Sequence, residues 1–400
     1  MERRDLLKAV VAGGLAGTAA ILLAPQLAAS STGTDGKAAG EAARALAELQ
    51  QVLAELDADF AKPEWRVRSP QDAGEARRLL LHTLIHALQA WFEADPARPF
   101  FTAFIGLHKK MLGDNPDARY FSAAIDDSHR YRIYGNLAAA TYTSFTIEMG
   151  LGSESQGLGS TLNDTEFKAD AAGNYEIILS AEKVAANWMP LPKGARSVTT
   201  RHYYERERSI GNEPLHHIPI AIENLDDPGP RPVPSDAGIA AGIRRVSAFM
   251  QQNMVRMDYS NSPDWVSRIP NKFVPPRKDD SNEAIAYAAK DNVYAMAPFV
   301  LMPNQALVIS GRFPKARFGS VLLHNQFLQS FDYETRTISL NRKQVLYEKD
   351  GSFRIVVAHR DPAMPNWLDT EGRPFGIMFW RFLLPEGPIA PLQTEVIELG

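Results

Sequence analysis

The sequence predicts an α+β protein that is mostly β, with N-terminal helices followed by two antiparallel β units, the second a jelly-roll-like sandwich. Three observations carry this reading. Before Gly113, apolar residues recur at three- and four-residue steps. From Tyr131 onward the runs are short and alternating, bounded by Gly, Pro, Asn or Asp, and in the C-terminal half no helical stretch separates them. Between the two halves, 214–234 carries Pro219, Pro228, Pro230, Pro232 and Pro234, a density that reads as an extended linker.

The first thirty residues read as a signal peptide. Arg3, Arg4 and Lys8 precede an apolar run from Ala9 to Leu27 that holds no charge, and Ala28 to Ser31 offer small residues for cleavage. The order Arg3-Arg4-Asp5-Leu6-Leu7-Lys8 is similar to the twin-arginine export signal, which implies a periplasmic or secreted protein whose membrane contact is confined to this segment. Residues 31–40 are a Ser/Thr/Gly/Ala linker. A helix then runs from Glu41 to Phe60 on Leu46, Leu49, Leu53, Leu56 and Phe60. A second starts at Ser69 as N-cap, with Pro70 in the first turn and Asp72 completing a capping box, and extends to Glu93. A third is expected over 100–112. The first β unit closes residues 41–213, with strands at 131–134, 142–148, 175–180 and 197–205 and a mobile loop over 150–164. Residues 235–400 form the second unit: a helix after Ser235, a short helix over 282–291, then strands at 307–310, 320–324, 338–340, 353–359 and 376–383. No internal repeat of fixed period is visible.

Composition narrows the chemistry. Of 400 residues 43 are basic and 47 acidic, and no basic stripe with interleaved aromatics occurs, so nucleic acid is not an expected partner. No cysteine is present, which removes thiol nucleophiles, disulfides and Cys-ligated metals. No organic cofactor is expected either.

Several landmarks resemble the bacterial family carrying the DUF1214 domain: Gly113-Asp114-Asn115-Pro116-Asp117, Tyr131 to Asn136, Asn187 to Pro192, Pro362, Asn366 to Thr370, and Phe379-Trp380-Arg381. The resemblance implies a β-sandwich in the C-terminal half and brings no reaction with it.

Four constellations could carry chemistry. His82 and His86, four apart on a helix, have metal-ligand spacing. They fall opposite the stripe Leu80, Leu84, Leu88 and Trp91 and read as a solvated face, so no metal is expected. The Gly-rich loop around Ser155 meets neither the phosphate-binding nor the nucleophile-elbow template. On the strand from Arg201 to Arg206, alternation places Arg201, Tyr203 and Glu205 on one face and His202, Tyr204 and Arg206 on the other, each an acid/base group beside a cation. His359-Arg360-Asp361 ends an apolar strand, with Asn366, Trp367 and Asp369 in the following loop, a composition suited to a pocket mouth or to plain turn chemistry. Two functions survive. One is an exported small-molecule enzyme of hydrolase or lyase type at the interface of the β domains, with His202, Tyr204, His359 and Asp369 catalytic and Trp188, Arg201, Asn366 and Trp367 binding the substrate. The other is a non-catalytic envelope protein that binds a carbohydrate or lipophilic ligand.

Overall fold

Local sequence sets the helices. Ser69 accepts a hydrogen bond from Asp72 N (3.1 Å) and donates its own N–H to Asp72 Oδ2 (3.0 Å), so α2 (Pro70–Ala87) opens with the expected reciprocal cap. It ends in a π turn over Leu88–Phe92. Ahead of it, α1 (Glu41–Asp59) follows its apolar stripe. Ser235 Oγ caps α3 (Asp236–Asn253) at Gly238 N, 3.0 Å. The carboxylate of Asp236 reaches back to cap α1 through Glu41 N (2.6 Å) and Ala42 N (3.2 Å), so two helices far apart in sequence pack together at their starts. The computed structural model describes residues 40–150, 157–254, 262–278 and 289–400.

In the first half, β1 (Thr102–Ala103), β2 (Ala118–Ala124), β4 (Tyr142–Met149), β5 (Gly157–Asn163) and β8 (Ala195–Tyr203) form a sheet in the order β1-β2-β8-β4-β5. Facing it, β3 (Tyr131–Asn136), β6 (Asn174–Ser180), β7 (Trp188–Pro190) and β9 (Ile220–Asn224) align as β7-β6-β3-β9. Phe145, Ile147 and Val198 from one sheet and Ile133, Ile177 and Leu179 from the other share a core with no exposed surface.

In the second half, β10 (Arg277–Lys278), β11 (Asn292–Val300), β13 (Phe318–His324), β14 (Ser339–Asn341) and β17 (Phe375–Leu383) align as β10-β11-β17-β13-β14. The opposing sheet, from β12 (Gln305–Gly311), β15 (Phe353–Ala358), β16 (Trp367–Asp369) and β18 (Gln393–Glu398), runs β16-β15-β12-β18. Val321, Trp380 and Phe382 pack against Leu307, Ile355 and Val357 between them.

The second sandwich repeats the first strand for strand, in the same spatial order. Both are antiparallel except for one short parallel edge pair, β6 with β7 and β15 with β16. Side chains repeat with it. Asn187 takes Lys168 N on its oxygen (2.9 Å) and donates to Lys168 O (2.8 Å) and Glu176 O (3.0 Å). Asn366 does the same with Leu346 N (2.8 Å), Leu346 O (2.8 Å) and Arg354 O (2.9 Å). The hairpins that precede β6 and β15 turn at Gly173 (φ 85°) and Gly351 (φ 80°), the left-handed region that favours glycine. The expectation of no internal repeat is thus corrected. Loops of unequal length separate equivalent residues, so the duplication leaves no fixed period in sequence.

Other expectations also change. Residues 100–112 hold β1 and turns instead of a helix, with Phe104, Ile105 and Met111 buried one by one. The loop expected over 150–164 contains β5, whose small residues permit a strand despite its glycines. The proline-dense 214–234 contains β9, paired with β3, because its prolines flank residues 220–224 instead of interrupting them. Of the helix expected over 282–291, residues 282–288 lie outside the described residues. His82 and His86 are buried, 9% and 1% exposed, whereas Leu81, Ile85 and Leu88 face outward. The reason is that α2 wedges its Leu79–Thr83–His86 face against α3 and the 104–111 segment: His86 lies 4.5 Å from the Phe104 ring and 5.1 Å from Phe249. Lys110 N donates to His82 Nδ1 at 2.9 Å. Among the described residues no helix is long and apolar enough to cross a membrane.

Candidate functional site

On β8 and β17 alternate residues point away from the sandwich core, and at the same register position each carries an arginine. Arg201 stands between Tyr120 on β2 and Ser144 on β4, with Asn163 beyond Ser144. Arg381 stands between Tyr294 on β11 and Ser320 on β13, with Asn341 beyond Ser320. The two Tyr-Arg-Ser-Asn rows are equivalent in the duplication, and contacts cross between their sheets. Tyr203 packs on Phe318 at 5.0 Å. Asn163 Nδ2 donates to Asp291 at 3.1 Å, a carboxylate that Tyr142 also holds through its hydroxyl. Arg342 pairs with Glu205 at 2.7 Å, and Asn341 Nδ2 donates to Arg206 O at 2.9 Å.

The loop Gly113 to Asp117 closes the space beside Arg381. Gly113 has φ 74°, which favours glycine, and a Cβ there would also press on Arg381 Nη2 and the Phe379 ring at 3.3 Å each. Its carbonyl accepts from Arg381 Nη2, whose guanidinium lies 3.9 Å from the Phe379 ring centroid. Asp114 accepts from Ser330 N (2.8 Å) and Ser330 Oγ (2.5 Å). Asn115 Oδ1 accepts from Asp117 N at 2.9 Å, an Asx turn that points the Asp117 carboxyl inward. Trp265 stands over Tyr294 (5.0 Å) and Phe379 (6.0 Å), giving this half of the cluster aromatic walls.

Several polar atoms at this place are buried without a hydrogen-bond partner: Arg381 Nη1, Ser320 Oγ, both amide atoms of Asn292, His324 Nδ1 and both Asp117 carboxyl oxygens. Asn292 lies beside the Tyr294 hydroxyl, and Asp117 beside Ser209 and Asn341, without completing those bonds. Orphaned buried groups cost about 1–3 kcal/mol each, so their concentration around Arg381 makes this the candidate site. Burial pushes the Asp117 carboxyl up to about 7, against the opposing pull of Ser209, Asn341 and Arg381. Burial, with Arg381 nearby, drives His324 down to about 3. His324 is therefore neutral; its Nε2–H donates to Asp114 O at 2.9 Å and leaves Nδ1 as an open acceptor. Burial likewise raises the Tyr120 and Tyr294 hydroxyls, and both tyrosines lie within electrostatic reach of Arg201 and of Arg381.

Of the residues expected at a site, only Arg201 belongs to this cluster. His202 faces the core of the first sandwich, its ring nitrogens bonded to Thr143 (3.2 Å) and Thr200 (3.1 Å), and burial lowers it to about 3. Tyr204 lies one residue past β8, fully buried, its ring edge-on to His216 at 4.8 Å and its hydroxyl unpartnered. His359 and Asp369 sit together on the outer sheet of the second sandwich. There His359 Nδ1 meets Thr370 Oγ1 at 2.6 Å, and Asp369 pairs with Arg336 at 2.6 Å. Among the described residues these four share no partner, and the geometry does not gather them into one constellation. Trp188 and Trp367 are equivalents in the duplication, each donating its indole N–H to a backbone carbonyl, Ser180 O at 3.2 Å and Ala358 O at 3.0 Å. With Asn366 they are accounted for as edge-strand architecture.

Asp114, Asp117 and Arg381 were visible only as landmarks of the family resemblance, since Asp-Asn-Pro-Asp reads as an exposed turn. Tyr120, Tyr294, Ser320 and His324 sit inside strands and gave no signal.

Residues 301–387 match the family described as a protein of unknown function, DUF1214. No curated protein matches the chain. The crystal structure of an uncharacterised protein from Burkholderia cenocepacia is similar, with a TM-score of 0.76 and 25% identity over 89% of this chain and 97% of that one. A Vibrio parahaemolyticus protein aligns at a TM-score of 0.48 and 11% identity, over 80% of this chain and 98% of its own.

Proposed function

We propose that this DUF1214 protein is an exported enzyme that performs acid/base chemistry on a small molecule held between its two sandwiches, with Asp117 carrying the proton and Arg381 holding the substrate. The observation that carries the reading is Asp117: fully buried, without a completed hydrogen bond, titrating near 7 beside an arginine that keeps one nitrogen unengaged. A group with that midpoint both gives and takes a proton at neutral pH. A cleft of about 370 Å³, lined in part by Arg277, Asp291, Val293 and Leu384, opens at the start of β11, the strand that carries Asn292 and Tyr294.

The test is to incubate wild type and Asp117→Asn with a defined mixture of small esters, hydroxy acids and carbonyl compounds and to follow each by mass spectrometry. At least one component should change with wild type and persist with the variant. Binding without turnover of any component would instead favour the non-catalytic reading. The export part rests on Arg3, Arg4 and the apolar run behind them. Arg3→Lys combined with Arg4→Lys should retain the protein inside the cell, and equal export of this variant would defeat the twin-arginine reading.

A further inference from the structure

We infer that the guest of this cluster bears a carboxylate, seated on Arg381 and Ser320 against the aromatic wall of Tyr294, Phe379 and Trp265. The inference deepens the reading of the cluster as a substrate site and rests on it. Arg381 is 4% exposed, its Nη2 is held by Gly113 O and its face by Phe379, so the guanidinium is fixed with Nη1 open. Directly across the strand pair stands Ser320, fully buried, with its hydroxyl unpartnered. A planar acceptor with two oxygens answers both donors, and guanidinium recognises that geometry better than any neutral acceptor.

Charge balance points the same way. Lys110 is matched by the Asp114 carboxylate, which it stabilises electrostatically. Glu148 lies on the same face as Arg201, linked to that row through Thr199, with Thr146 accepting from Arg201 Nη1 at 3.0 Å. Arg381 lies within electrostatic reach of Asp114, which also faces Lys110, and of Asp117, whose carboxyl burial pushes up to about 7 and which completes no hydrogen bond to it. A buried guanidinium in that position calls for an anion. The aromatic side chains bordering the cluster, Tyr294 and Trp265 tilted against each other, favour a guest with an apolar body attached to the acid.

Three probes separate the possibilities on the full chain: benzoate, its neutral isostere benzamide, and phenyl phosphate, each followed by thermal shift and calorimetry. Benzoate should raise the melting midpoint by several degrees and benzamide should not. Arg381→Met should weaken benzoate at least tenfold. Should that variant fail to fold, Ser320→Ala, which only removes a hydroxyl, should weaken it several-fold. Equal shifts with benzamide, stronger binding of phenyl phosphate than of benzoate, no shift with benzoate, or unchanged benzoate affinity in the variants would each overturn the assignment. Turnover of a neutral compound by wild type but not by Asp117→Asn would remove the carboxylate and leave the acid/base reading standing. Benzoate binding without turnover of any component of the mixture would do the reverse.

Discussion

Asp117→Asn should make the protein more stable at pH 8 than wild type, by about 1–3 kcal/mol, and no more stable at pH 4. The sign follows from the direction of the shift. Burial holds the folded carboxyl near 7 while the unfolded one keeps the ordinary carboxylate value of 3.8, so between these limits the folded state binds more protons. Stability from this group is therefore greatest below 3.8 and is lost as pH rises toward 7, where a buried charge has been created. The full shift corresponds to about 4 kcal/mol, and asparagine recovers only part of it because its own amide stays poorly partnered. Buried histidines act in the opposite sense: His82, His202 and His324 are depressed, so their contribution is present above the unfolded midpoint and lost on acidification. Comparing variant with wild type cancels them. Thermal melts of both proteins from pH 4 to 8 should diverge progressively above pH 5; parallel curves would mean that Asp117 is solvated and unperturbed. A variant that gains stability while losing turnover is the signature of a strained functional group, since a purely structural acid would lose both.

What the sequence disclosed and what it hid follow one physical division. Strand runs such as 142–148, 307–310 and 376–383 were legible because alternation is set by the chain's own pleat, and they reappear as β4, β12 and β17. The cap at Ser69 was legible for the same reason, being a bond between neighbours. Which face of a helix is buried was not, because α2 turns Thr83 and His86 inward and Leu81 outward according to what α3 and the 104–111 segment present. The candidate site was least legible. Its members come from β2, β8, β11, β13, β17 and the 113–117 loop, and only the stacking of two duplicated sandwiches brings them together. Arg201 was singled out as a cation beside an acid/base group on its strand, yet its equivalent Arg381 was seen only as part of a family landmark. The duplication that relates them lies in topology and register, which sequence spacing does not preserve.

Asp114→Ala should cost about 3–5 kcal/mol, enough to consume much of the stability of a typical domain. The carboxyl is 2% exposed and accepts both the N–H and the hydroxyl of Ser330, so truncation strands two buried donors. It also removes the strongest opposing charge acting on Lys110, a residue 1% exposed whose ammonium donates to Ser330 O (3.1 Å) and Phe331 O (2.5 Å) and lies 4.4 Å from the Tyr333 ring centroid. Burial already lowers the Lys110 midpoint with Asp114 opposing the fall, so loss of Asp114 should drive the lysine further toward its neutral form. Because the two groups are coupled, Lys110→Met should cost less in the Asp114→Ala background than alone, with an interaction of about 1–3 kcal/mol in a double-mutant cycle by urea unfolding. The loop that carries Asp114 belongs to the first half and Ser330 to the second, so the cost of Asp114→Ala alone measures how firmly the 113–117 loop is locked onto the second sandwich. A single-variant cost below about 1 kcal/mol would show that the loop is held by Gly113 and Arg381 instead, and costs that simply add would show that Lys110 and Asp114 are not coupled.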